Sequence, residues 1–224
     1  MRAFDIAARV LYRDGLMIVI DKPAGIPVHA GPGGGPNLER SFDALRYGLP
    51  RPPALAHRLD RDTSGCLVLG RHPKALRRLG RLFADGKVEK TYWAIVEGTP
   101  AGESGRIELR LKKIERRDGW TMTADEGGQS AVTDWRLAGR GAGISWLELY
   151  PRTGRTHQIR VHCAKALGCP VLGDRTYGAQ RTGPLNLHSR AISLPLYPAR
   201  DAIRIEAPPP AHMLEALRAC GCAA

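Results

Sequence analysis

No apolar run in this chain is long enough to span a bilayer, and its start, "MRAFDIAARV", has no apolar core of signal-peptide length. A membrane protein is therefore excluded as an expectation, and a cytoplasmic location is expected. Cysteine is scarce and badly placed for cross-linking. The five thiols (Cys66, Cys163, Cys169, Cys220 and Cys222) are an odd number and contain no C-x-x-C pair. That spacing suits neither a disulfide framework nor a zinc site, so buried, reduced thiols and no metal are expected. Acidic residues are also short in supply: 22 Asp and Glu face 34 Lys and Arg, a net charge of +12. Such a surplus points to a polyanionic partner, against the plainer alternative of a soluble basic protein. There is no internal repeat and no clean linker. With 43% hydrophobic residues, the 224 residues are expected to fold as a single domain with a real core.

Local patterns give a coarse architecture. "LYRDGLMIVIDKPAG" reads as a strand with a turn at Asp14-Gly15 before Leu16–Ile20, and "HAGPGGGPNLERS" as a loop whose Ser41 caps a short helix. A buried strand is expected at Cys66–Leu69. From Arg71 to Asp85 the spacing predicts an amphipathic helix, with Leu76, Leu79, Leu82 and Phe83 on one face and Lys74, Arg77, Arg78 and Arg81 on the other. Those four cations have no acidic partners at i+4, so the face is read as tracking phosphates rather than as solvated surface. Strands follow at "KTYWAIVEG", "SAVTDWRL" and "ISWLELYP". In "RIELRLKKIERRDGW", Ile107, Leu109 and Leu111 alternate with charged residues, and the basic tip Lys112–Arg117 precedes a hairpin signal at Asp118-Gly119. A strand at "DAIRIEAPPP" and a helix at "AHMLEALRA" end the chain. Many strands and few, irregularly placed helices argue for an α+β fold with a mostly antiparallel sheet.

Two stretches carry candidate chemistry. In "ALAHRLDRDTSGCLVLGR", Asp60 stands between Arg58 and Arg61; in "PRTGRTHQIRVHCAKALGCP", a helix capped by Thr156 carries Arg160. Both faces of that helix are mostly apolar, so Arg160 needs an anion, either Asp60 or a ligand phosphate. A structural Asp60–Arg160 pair would explain each residue singly, but not the clustering of Arg58, Arg61, Arg152, Arg155 and Arg160. His57 is read as a hydrogen-bonded structural histidine rather than a general base, and Asp62 as a turn former. Lys22 is either an RNA contact or a turn-flanking residue. His157 and His162 face different ways, which argues against a metal pair.

"DKPAG", "HRLDRDTSG", "EKTYWAIVEG", "PRTGRTHQIRVHCAKALGCPVLGD" and "LNLHS", in that order, resemble the RluA-type pseudouridine synthases from about Leu11 to about Pro210. The resemblance implies a mixed, largely antiparallel sheet with flanking helices and a central RNA-binding cleft. It also implies isomerisation of uridine to pseudouridine in transfer or ribosomal RNA after the base is flipped out. The reaction is redox-neutral and needs no cofactor. By the same resemblance Asp60 is the catalytic aspartate, Tyr92 lies against the target base, and Arg160 pairs with the aspartate. Arg58 fills the space the nucleotide vacates, and Leu187 packs on the base. His57, Arg155 and the Lys74, Arg77, Arg78 and Arg81 face are taken as RNA contacts. Asn186 and Ser189 depart from the leucine and alanine frequent there, as Cys66 does from an aliphatic residue. The pattern begins so early that no N-terminal accessory RNA-binding domain is expected, and the chain is expected to act as a monomer on an RNA stem-loop. A catalytically silent RNA-binding module and a two-histidine nuclease are the competing readings.

Overall fold

The computed structural model describes residues 5–31, 34–117 and 119–223. Along the chain run β1 (Val10–Arg13), β2 (Met17–Lys22), a 3-10 helix (Leu38–Leu45), β3 (Ala54–Leu55), β4 (Ser64–Gly70) and α1 (Pro73–Ala84). There follow β5 (Glu89–Glu97), β6 (Ser104–Arg116), β7 (Gly119–Ala124), β8 (Gln129–Gly141) and β9 (Ile144–Pro151). The chain ends with α2 (Gln158–Val161), β10 (Leu187–Leu194), β11 (Ile203–Glu206) and α3 (Ala211–Ala219). This is the α+β class expected from the sequence. Among the described residues no helix is long and apolar enough to cross a membrane. The chain divides into two compact units: Met1–Lys90 with Ser189–Pro208, and Thr91–His188 with Pro209–Ala224.

In the first unit, β2 pairs antiparallel with both β1 and β4, and β3 also pairs with β4. Every residue of β4 is buried, which is why "CLVLG" shows no polar alternation. Met17, Val19, Cys66, Val68, Leu79 and Ile192 share one apolar cluster. The expected amphipathic helix is α1. Pro73 opens it, the His72 ring nitrogen accepts from Ala75 N at 3.2 Å, and Ala75 and Leu79 are buried while Lys74, Arg77 and Arg81 are exposed. Ser41 does not cap a helix. It lies inside the 3-10 helix, because burial of Leu38, Phe42 and Leu45 draws the helical start back to Leu38. Gly65, in the "TSG" turn, has φ +101°, and a Cβ there would sit 2.2 Å from the Ser189 carbonyl oxygen, so only glycine fits.

The second unit orders its strands β5-β9-β8-β6-β7, all antiparallel. Ile107 and Leu111 of β6 are buried, and Arg106, Glu108, Arg110 and Lys112 are exposed, as the alternation predicts. The β6–β7 hairpin forms with Arg116 opposite Gly119; Asp118 of the turn signal lies outside the described residues. The expected helix after the glycine turn starts later than Thr156. His157 takes φ +52°, α2 spans only Gln158–Val161, and a π-helical turn, His162–Ala166, completes it. The left-handed residue blocks an earlier start, and the Gln158 side chain fixes the entry. Its Oε1 accepts from Thr153 Oγ1 (2.7 Å) and Arg155 N (3.0 Å), and its Nε2 donates to Val132 O (3.0 Å) and Thr133 Oγ1 (2.9 Å).

Candidate active site

Asp60 is half-buried in the loop between β3 and β4, and its carbonyl accepts from Thr63 N at 3.2 Å. What holds this loop is Lys22, at the end of β2 and fully buried. Its ammonium donates to Pro23 O (2.8 Å), Arg61 O (2.9 Å) and Thr63 O (2.8 Å), which uses all three of its protons. Burial pushes Lys22 down to about 8, against the attraction of the Asp62, Asp60 and Asp21 carboxylates. Lys22 is therefore neither a surface RNA contact nor a passive flank of a turn. It is an internal clamp on the loop that carries Asp60. Arg61 adds a second tie: its Nε donates to Gly25 O at 3.1 Å, and Gly25 N donates back to Arg61 O at 3.0 Å.

Of the two readings of His57, structural histidine and RNA contact, the side chain's bonding fits the first. Its Nε2 accepts from Val68 N at 3.0 Å, and its ring stacks on Phe83 with centroids 4.6 Å apart. Burial, reinforced by the Lys90 charge, pushes its pKa down to about 3, so the ring is neutral at physiological pH. Next to it Arg58 is exposed, between the anchored His57 and the buried Leu59. On α1, Lys74, Arg77 and Arg81 reach solvent, whereas Arg78 is half-buried with its guanidinium 5.9 Å from the Tyr197 ring.

In the second unit Arg160 is buried, and the anion it meets there is Asp174, in "VLGD". Arg160 Nε donates to Oδ2 and Nη2 to Oδ1, each at 2.7 Å, and the guanidinium lies 5.0 Å from the Tyr177 ring. Asp174 Oδ1 also accepts from Thr176 N (3.0 Å) and Tyr177 N (3.3 Å). Sequence reasoning did not single out Asp174; the only signal was its place at the end of a quoted motif. The arginine cluster resolves into separate tasks. Arg152 is paired with Asp134 at 2.7 Å, and exposed Arg155 ties Ser130 O through Nε at 3.1 Å. Tyr92, opposite Leu149 on β5, packs half-buried against the cluster that contains Ile159 and buried Leu187. The structure thus brings Tyr92, Leu187 and the Arg160 helix to one region of this unit.

Known proteins resemble this chain in sequence and in fold. Residues 16–165 match the family model described as RNA pseudouridylate synthase, and the chain belongs to that family. It is an isomerase that makes pseudouridine in RNA. Over 209 residues it is 44% identical to an RNA pseudouridine synthase of Zymomonas mobilis, covering 92% of this chain and 95% of the relative. A Synechocystis RNA pseudouridine synthase is 36% identical over 223 residues, covering 94% and 68%. The solved structure titled human RNA pseudouridylate synthase domain containing 4 superposes with a TM-score of 0.81 at 26% identity, covering 96% of this chain and 94% of that one.

Proposed function

We propose that this enzyme isomerises one uridine in a transfer RNA or ribosomal RNA stem-loop, with Asp60 as the catalytic carboxylate. The observation that carries the reading is the Lys22 clamp: one buried ammonium donates to Arg61 O and Thr63 O just after Asp60, with its third bond to Pro23 O, and so fixes the Asp60 loop before any substrate arrives. The reaction breaks the bond from ribose C1′ to uracil N1, turns the ring, and joins C1′ to C5. The proton lost from C5 is balanced by one gained at N1, so no oxidant or reductant is consumed. Asp60 acts ionised, as a nucleophile or as a counter-charge to the sugar cation. Tyr92 stacks on the base and Leu187 closes its apolar side. Arg160, held in place by Asp174, is the cation of the catalytic machinery, and Arg58 stacks into the vacated space, where a planar guanidinium also reaches phosphate. Arg155, together with Lys74, Arg77, Arg78 and Arg81, contacts the RNA backbone.

Pseudouridine mapping on total RNA tests this reading. Cells lacking the gene are complemented with wild type or with Asp60→Asn. Wild type should restore a modified uridine in one RNA and leave its chain length intact, and the variant should restore none. A variant that restores the site at the wild-type level removes Asp60 from the mechanism.

A further inference from the structure

Among the described residues only two large apolar side chains remain well exposed, Tyr47 and Trp120. The Tyr47 ring lies under the Arg13 guanidinium, 4.0 Å from its centroid. Trp120, 41% exposed at the tip of the β6–β7 hairpin, is placed differently. Its ring is stacked on His157, with centroids 5.1 Å apart and planes 26° apart. That imidazole is itself held: Nδ1 is 2.8 Å from the Tyr177 hydroxyl, whose oxygen accepts from Met122 N at 3.1 Å. The left-handed backbone of His157, φ +52°, aims the imidazole at the hairpin, and strain of this kind concentrates where a side chain must be held in place. Around the tip, Lys113, Arg116 and Arg117 are exposed, with the Lys113 ammonium 5.4 Å from the Trp120 centroid. Lys113 also meets Glu115 at 2.6 Å, an exposed pair that a phosphate can displace at little cost.

A rigid, exposed indole with one ammonium beside it and two further exposed cations on the same hairpin suits an unpaired base and its two phosphates. We propose that Trp120, supported by His157, is a stacking platform for an unpaired base of the substrate RNA, with Lys113, Arg116 and Arg117 on the flanking phosphates. The inference rests on the RNA-modifying activity and names a second contact, outside the residues assigned to the target uridine. Stacking follows the ring rather than base identity, so this contact selects single-stranded over duplex RNA rather than a sequence.

The test uses the full-length protein with three probes of equal length: a mixed-sequence single-stranded decamer, its abasic counterpart, and a blunt duplex. Trp120→Ala should weaken binding of the decamer by about 5- to 100-fold. Trp120→Phe should recover most of it, and neither change should alter binding of the abasic strand. Tryptophan fluorescence of the wild type should be quenched by the decamer and not by the abasic strand, and the quench should disappear in both variants. Equal decamer affinity for wild type and Trp120→Ala overturns the platform while leaving RNA recognition standing. So does an equal loss on the abasic strand, which would mean that Trp120 only braces the hairpin. A wild type that binds none of the three probes also overturns the platform, while the modifying activity stands or falls separately on the pseudouridine mapping.

Discussion

The Arg160 guanidinium and the Asp174 carboxylate meet through two parallel hydrogen bonds of 2.7 Å, with the Asp174 side chain fully buried and that of Arg160 only 10% exposed. A fork of this kind orients as well as neutralises, because the planar guanidinium cannot turn without breaking both bonds. Asp174 is in turn held by the Thr176 and Tyr177 amides, so the cation is positioned from a fixed base.

Asp174→Ala should therefore leave a buried charge without its partner and destabilise the fold by about 3–5 kcal/mol. Urea denaturation measures this directly. The double change Arg160→Met with Asp174→Leu should regain most of that stability, since apolar replacement of a buried pair is often tolerated, yet form no pseudouridine. Recovered turnover in the double variant would show that Arg160 serves packing alone.

Lys22 is a buried cation held only by carbonyl oxygens at hydrogen-bonding range. Lys22→Met should remove the ammonium's bonds to Pro23 O, Arg61 O and Thr63 O, of which Arg61 O keeps Gly25 N as a donor, and destabilise the fold by about 3 kcal/mol. Because the folded ammonium titrates near 8 rather than 10.5, the folded state binds fewer protons than the unfolded state between those values. The desolvation penalty on the ammonium is therefore full below about pH 8 and is relieved as pH rises to 10.5. The stability gap between wild type and Lys22→Met should thus be wider at pH 10 than at pH 7.5. A gap that narrows with rising pH would contradict a desolvated ammonium.

His57 gives an acid-side signature. Its pKa is lowered from 6.5 to about 3 by burial and by the Lys90 charge. The stability it contributes is present above pH 6.5 and lost as pH falls through about 3. His57→Phe keeps a ring against Phe83 but leaves the buried Val68 amide without its acceptor, at a cost of about 1–3 kcal/mol at pH 7. Urea midpoints at pH 7, 5 and 4 should converge between wild type and this variant as pH falls; parallel curves would place the acid sensitivity elsewhere.

Much of the fold could be read directly because it is local. The polar and apolar faces of α1, the alternation along β6, and the turn between β1 and β2 depend only on residues a few positions apart. The order of five motifs was equally plain, and with it the family. The helix after Gly154 was misread at its start, because a left-handed histidine and a four-bonded glutamine do not appear in any periodicity.

The sequence alone thus determined the class of the protein, its basic surface and the candidate roles of Asp60, Tyr92 and Arg160. The tertiary structure decided who holds these residues in place. Lys22 reaches Thr63 41 positions on, His57 reaches Val68 across a strand, and Trp120 rests on a histidine from a distant loop. The physical reason is desolvation: whether a charge or ring is a contact or a clamp depends on which groups surround it once water has gone. For Lys22 those groups are three backbone carbonyls, which no side-chain pattern records.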